Sequence, residues 1–470
     1  MKTRGIILVN VLIFAAIAVT VTTALVNWGA LVLKTTRTLH LKEQAFQVAE
    51  AGVDYYRWHL AHAATDYQDG TGAPGPYIHE MEDALGNVIG NFSLTITPPI
   101  NGSTLVKIVS KGTLSSDPTI SRTIQAVLAI PSLAKFAVVA NDNMRFGSGT
   151  EIFGPIHANG GIRFDGLAHN LVTSAQSSYD DPDDGVSQQK FGVYTTISPA
   201  DPNPPASVPS RPDVFVAGRQ FPAQTFDFVG LIADLADMKA EAQSAGRYIS
   251  ASGVSGYHIV LKTNDTFDLY TVSSLRAPPR RCENKNEQEG WGTWSIGSEQ
   301  FVANYVFPGN GIVFVEDDVW VDGAINGARL TIAAGQFPDN VTTRRSITVN
   351  DDIVYTAYDG TDVLALIAQK NVNAGLYSQD NLRIDAALVA QTGRVGRFFY
   401  EQSCGSERNR DTITLYGMIA TNVRYGFAYT NGTGYETRNI IYDGNLLYGP
   451  PPSFPLTSNQ YQTISWEEVK

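Results

Sequence analysis

Acidic residues offer the first chemistry in this sequence. Asp180, Asp181, Asp183 and Asp184 stand close together, and such a group invites a Ca²⁺ ion, which takes about six to eight oxygens from a defined loop. Pro182 interrupts the group, the EF-hand spacing is unmet and no bidentate Glu follows, so a solvated acidic loop is the ordinary reading. Asp317 with Asp318, and Asp351 with Asp352, follow strand-like runs. Carboxylates paired on one face can cleave a polysaccharide, although turn formation is the commoner use of Asp. His59 and His62 lie three residues apart near Asp66 and could share a metal, but with no further ligand in view they read as surface or interface histidines. His157 and Asn159 fall in GPIHANGGIRF, where tight-turn packing accounts for the Gly and Asn residues. No phosphate loop, nucleophile elbow or dinucleotide fingerprint occurs in a supporting context. No catalytic, metal or cofactor residue is therefore assigned, and no cofactor is expected.

The two cysteines, Cys282 in RRCENKNEQEG and Cys404 in EQSCGSERNR, sit in polar, loop-like segments without C-x-x-C spacing. A disulfide across two loops and a pair of free thiols both fit.

The elements that position these residues begin with a long helix. From Ile6 to Leu33 there is no charged residue, and Lys2, Arg4 and Gly5 stand just before the run. It exceeds the roughly 20 apolar residues that cross a bilayer and is about twice the apolar core of a secretory signal. The run then passes into a second helical pattern, with Leu39, Phe46, Ala49, Val53, Tyr56 and Leu60 forming one apolar stripe. Proline is absent until after Ala73. One nearly continuous helix is expected over 6–64, with a membrane span at 6–33 and an amphipathic half at 34–64.

A short basic leader ending in Gly, followed at once by an apolar helix, resembles the class III signal of type IV pilins and pseudopilins. The stretch EQAFQVAEAG, from Glu43 to Gly52, is similar to the segment beyond the membrane helix in minor pilins of the PilX type. The resemblance implies a leader of residues 1–5, cleavage between Gly5 and Ile6 by a prepilin peptidase, and assembly with other pilins by a pilus assembly platform. Asn10, Phe46, Ala49, Val53 and Tyr56 are then the assembly residues. At the fifth mature position major pilins usually carry a Glu that pairs with a neighbour's terminal amine. Asn10 can hydrogen-bond there but cannot form that ion pair, which fits a minor or terminal subunit.

Beyond the helix, TDYQDGTGAPGP ends the helical pattern. Three strand-like runs follow at 88–97, 105–113 and 120–130, separated by turn chemistry. By the resemblance this is a pilin-like antiparallel sheet over 77–130. From 131 to 470, short β-prone runs alternate with Gly and Asn, and corresponding strands begin near Val319, Ile347, Leu382 and Ile413. Such irregular repeats suggest a β-solenoid, or parallel β-helix, with a β-sandwich as the alternative. An inserted Pro-rich loop and a covering helix, with Leu231, Leu235, Met238 and Ala242 at helical spacing, occupy about 171–246. The fold class is thus α+β and mostly β.

Charge is divided unevenly. Residues 1–62 carry six basic and three acidic groups, a net of +3, so the remainder carries −15 of the formal −12. An acidic body excludes a nucleic-acid partner of the phosphate-neutralising kind. The expected function is a minor, possibly tip, type IV pilin-like subunit. It is held in the inner membrane by one helix, then placed on an extracellular pilus to display a large β domain for adhesion to a surface or glycan. It is expected not to be an enzyme. The alternatives are a membrane-anchored β-helix enzyme acting on carbohydrate and a simple anchored surface protein.

Overall fold

The computed structural model describes residues 4–228 and 230–469, with the side chains of 4–6 and 230–234 outside that description. Met1, Lys2 and Thr3, on which most of the leader expectation rests, lie outside the described residues, as do the side chains of Ile6 and Leu231, and of Gly5 only its place in the first helix is described. The chain forms two compact units. One comprises the residues up to Pro99, Leu105–Ala129 and Asn459 onward; the other comprises Ile100–Thr104 and Ile130–Ser458.

The first unit is one helix, α1 (Arg4–His62), and a five-stranded antiparallel sheet. At 1.5 Å per residue α1 is about 90 Å long. In its apolar half Thr20, Thr22 and Thr23 turn their hydroxyls back to carbonyls one turn earlier. No polar group of theirs is then left needing water. The helix ends where Asp66 folds its carboxylate back onto the amides of Gln68 and Gly70 and holds a loop.

The sheet runs in the order Tyr77–Glu82, Val88–Thr97, Val106–Leu114, Asp117–Ala129 and Gln462–Val469. Alternation sends Phe92, Leu94, Val106, Ile108 and Leu128 to one face, where they meet Ala45, Val48, Tyr56 and Leu60 of α1. The second domain expected over 131–470 is corrected at its end. Residues 459–470 belong with this sheet, because Asp117–Ala129 presents an unpaired edge that Gln462–Val469 completes antiparallel.

The second unit is built chiefly of parallel strands stacked in three main ladders and a short fourth that joins Met144–Phe146, Ile162–Phe164 and Val193–Tyr194. Thr266–Leu275 and Ile296–Val306 instead pair antiparallel beside Gly256–Lys262, as do Ser178–Asp180 and Gln189–Phe191 with each other. The first ladder passes in register from Arg247–Ile249 through Ile312–Val315, Arg329–Ala334, Val363–Ala368 and the ends of Asn381–Ala390 and Asn409–Thr421. It continues through Val138–Ala140, Ile156–Ala158 and Val172–Ser174 to Arg219–Gln220. Chain order and ladder order therefore differ: residues 138–220 stack beyond 409–421. The second helix, α2 (Gly230–Ser244), leads the chain back to the first rung. The second ladder joins residues 257–261, 319–323, 347–348, 372–374 and 395–397. The third joins 323–325 and 353–355, and, through Ile353 opposite Ile384, runs on to Asn409–Thr421, Gly434–Tyr442, Thr150–Phe153 and Leu167–Ala168.

Parallel strands covered on both faces read as unbroken apolar runs, and the first ladder shows why. Val313, Val315, Leu366, Leu388 and Ile419 point into the core enclosed by the ladders. Their neighbours Ile312, Phe314, Ile367, Val389 and Met418 point the other way, under Leu235, Met238 and Ala242 of α2.

Two sequence expectations change here. Val319 does lie opposite Ile347, and Leu382 opposite Ile413, but Ile347 lies opposite Val372 rather than Leu382. The expected repeat joins strands of two ladders, since the corner between 374 and 381 moves the chain from one to the next. The stretch 171–246 is also not wholly an insertion, because Val172–Ser174, Val193–Tyr194 and Arg219–Gln220 are rungs.

Candidate functional site

Residues 7–33 of α1 are apolar and touch little else in the chain. Leu8 is 64% exposed, Phe14 72%, Trp28 66% and Leu33 73%. The best 18-residue window has a mean hydropathy of 2.3, and none of it is buried. Covering one such side chain is worth about 1.5–3 kcal/mol, so the segment as a whole strongly favours lipid or another chain over water. Asn10 is exposed within it.

The other half of α1 behaves differently. Ala49, Val53 and Tyr56 are buried against the chain's own sheet, and Phe46 is partly buried beside Trp466. Of the expected assembly residues, Ala49, Val53 and Tyr56 lie in the core of the first unit and Phe46 lies at its edge. An apolar stripe records that a partner exists, not whether it belongs to the same chain. Leu39, the first residue of the stripe, is exposed.

The residues with chemical potential are mostly committed within the fold. Asp181 accepts from Tyr194 and lies beside Arg163, Asp183 pairs with Arg145 and Arg424, and Asp184 pairs with Lys190. Asp180 accepts from Ser187 and from the amide of Gln188. The acidic loop is thus neutralised by its own surroundings.

The paired aspartates bind backbone across the ladders. Asp317 takes the amide of Ser252 at 2.8 Å, Asp318 that of Ser346 at 2.7 Å and Asp352 that of Arg383 at 2.8 Å. Asp351 accepts from Gln379. Asp385, Asn350 and Asn371 do the same for Tyr355, Gly375 and Arg394. At ladder corners the backbone amides lose their strand partners, and a buried N–H must find an acceptor. Short Asp and Asn side chains supply it.

His59 meets Asp66 at 3.1 Å, whereas His62 turns to the carbonyl of Trp58, so the two do not converge. His157 is held between Thr173 and Asn159 and stacks on Phe136. Burial holds its pKa below the ordinary value. Among the described residues no group of three or more His, Cys, Asp or Glu is placed to hold a metal. Cys282 and Cys404 form a disulfide, packed with Leu376, Phe398 and Tyr400.

One arrangement has no short-range sequence signal. On the second ladder His258, Trp320 and Thr348 occupy successive rungs. The segment 276–295 lies against this face, and a cleft of about 190 Å³ opens between them, lined also by Arg276, Asp322, Asp351 and Tyr377. His258 bridges Glu299 at 2.8 Å and Asp322 at 2.7 Å. Burial opposes charge on this imidazole, but hydrogen bonds and charge from Asp322 and Glu299 outweigh it and raise the pKa. The Arg276 guanidinium lies 3.5 Å from the centre of the Tyr377 ring. Trp294 anchors the wall, its carbonyl accepting from Trp320 at 3.0 Å and from Asn350 at 2.6 Å.

No family model matches the sequence, and no curated protein matches it. Among solved structures the chain is similar to the competence-associated pilin ComZ from Thermus thermophilus. The TM-score is 0.30 and the identity 14%, over 91% of this chain and 98% of that one. A likeness this weak says nothing of what the present chain binds or does.

Proposed function

We propose that the chain is a minor type IV pilin-like subunit of the PilX kind. The observation that carries this reading is the division of α1: an apolar half left bare, continuous with a half buried under the chain's own antiparallel sheet. A helix built this way can sit in the cytoplasmic membrane and later exchange lipid for the helices of neighbouring subunits, while its folded body stays outside. In this reading a prepilin peptidase cuts between Gly5 and Ile6, and an assembly platform moves the subunit into an extracellular filament.

The three ladders are read as the faces of a β-solenoid whose rungs repeat coil by coil. Residues 130–458 would crowd a lattice of identical subunits, which favours a sparse or tip position. Asn10 points the same way, since it offers no carboxylate to a neighbour's terminal amine. The chain acts by assembly and display, with adhesion as the use of the displayed unit, and not as an enzyme.

Intact-mass measurement of the chain purified from membranes tests the reading. A mature N-terminus at Ile6 is expected. A retained Met1, or loss of the whole apolar run, would sink it.

A further inference from the structure

We propose that the cleft between the second ladder and the segment 276–295 binds one neutral sugar ring of a glycan. Its polar groups are left in a pattern that suits such a ring. Thr348 is 1% exposed, yet among the described residues its hydroxyl has no hydrogen-bond partner while it lines the cleft. That hydroxyl opens onto the cleft, where water or a ligand can pair with it. Asp322 spends one carboxylate oxygen on His258, and Asp351 spends one on Gln379. Each has a second oxygen free to accept. Arg276 makes no ion pair among the described residues and stacks on Tyr377, so its N–H groups can donate. Trp320 supplies an apolar wall, fixed by the bond from its indole N–H to Trp294.

Other ligand classes fit this set poorly. A metal finds no cluster of three ligands among the described residues. An anion meets Asp322 and Asp351 with only Arg276 as an uncommitted cation in the lining, because His258 is already held between two carboxylates. An apolar ligand would leave the Thr348 hydroxyl and the carboxylate oxygens unpaired, at a free-energy cost for each. A neutral ring with several hydroxyls answers all of them: its hydroxyls donate to Asp322 and Asp351 and accept from Arg276 and Thr348. Its C–H edges lie against Trp320. The cleft is smaller than the roughly 300–1,000 Å³ of sites for drug-sized ligands, which fits one ring rather than a chain. The inference does not depend on filament assembly.

The test uses the full chain in lauryldimethylamine oxide, a detergent without sugar. Tryptophan fluorescence is followed while glucose, galactose, mannose, N-acetylglucosamine or glucuronate is added. At least one neutral sugar is expected to give a saturable change, with glucuronate weaker. Thr348→Val, close to isosteric, and Arg276→Gln, at an exposed position, are each expected to weaken binding by about tenfold or more, with an unchanged melting temperature for Arg276→Gln. The proposal is overturned if no neutral sugar gives a saturable change up to ~100 mM. It is equally overturned if Arg276→Gln binds as well as the parent.

Discussion

At the scale of single residues, the molecule puts its ionisable groups to work on structure, and two of them give the fold a pH dependence. The His258 pKa is raised above its ordinary 6.5. Its bonds to Asp322 and Glu299 therefore contribute in full below pH 6.5 and are lost as pH rises through the higher folded value. His258→Gln is expected to destabilise the second unit by about 2 kcal/mol at pH 6, the scale of a hydrogen bond to a charged group, and by less at pH 9. Asp318 is pushed from 3.8 up to about 6 by burial, against the Ser346 amide and the Arg345 charge. Its folded pKa is also raised, so its contribution favours the fold below pH 3.8 and fades by about pH 6. Asp318→Asn, which keeps an acceptor for Ser346, should flatten the stability profile in that window alone. Urea melts across pH 4–9 check both; a parallel shift at every pH would refute the assignment. Neither effect is legible along the chain. Asp317, Asp318, Asp351 and Asp352 look like candidate acids in one dimension, and only the neighbouring rung shows that three of them hold backbone amides. His258 and Glu299 are far apart along the chain, with no motif linking them.

At the scale of elements, the contact between α1 and its sheet is close enough to require glycine. A Cβ on Gly52 would stand 2.3 Å from Ser110 Oγ and 2.8 Å from the Phe92 ring, and one on Gly112 would stand 2.3 Å from the Ala45 carbonyl oxygen. A Cβ on Gly29, in the same helix, would meet nothing within 4 Å. The same substitution should thus have opposite effects at two sites in one helix. Gly52→Ala is expected to cost about 1–3 kcal/mol through overpacking, and Gly29→Ala to be neutral or to stabilise by up to about 1 kcal/mol through helix propensity. Thermal melts of the full chain in detergent check this; equal shifts would mean that the sheet does not seat on Gly52. The helix and the strands near 88–97, 105–113 and 120–130 were legible because their apolar spacing is regular. Gln462–Val469 was not. All eight of its residues are exposed, so it joins the sheet by backbone pairing with a few surface contacts, Trp466 on Phe46 and Glu467 and Glu468 on Gln125 and Arg122, and carries no buried face to read. In the second unit the runs of the first ladder were legible as strands, but which rung lies on which is set by corner lengths, and these vary.

At the scale of the whole molecule, the chain divides into a unit that holds α1 and a larger parallel unit that is acidic and closed by one covalent link. That link joins residues 122 positions apart, and it ties the segment 276–295 to the face of the second ladder through Trp291 and Tyr400. The rungs themselves do not need it, because their cores are continuous on both sides of the first ladder. Replacing both cysteines by serine should therefore leave the β signal in circular dichroism unchanged while lowering the melting temperature of the larger unit. The chain-entropy estimate for a loop of this length sets an upper bound of about 5 kcal/mol. The local effect should be sharper than the global one. Arg276, Arg280, Arg281 and Lys285 are exposed on the tied segment, so trypsin should cut there several-fold faster in the double variant than in the parent. Because Arg276 also lines the cleft, sugar binding should weaken in parallel with that cutting rate. If trypsin cuts 276–285 equally fast in both proteins, the segment is held by its packing on the ladder and not by the disulfide.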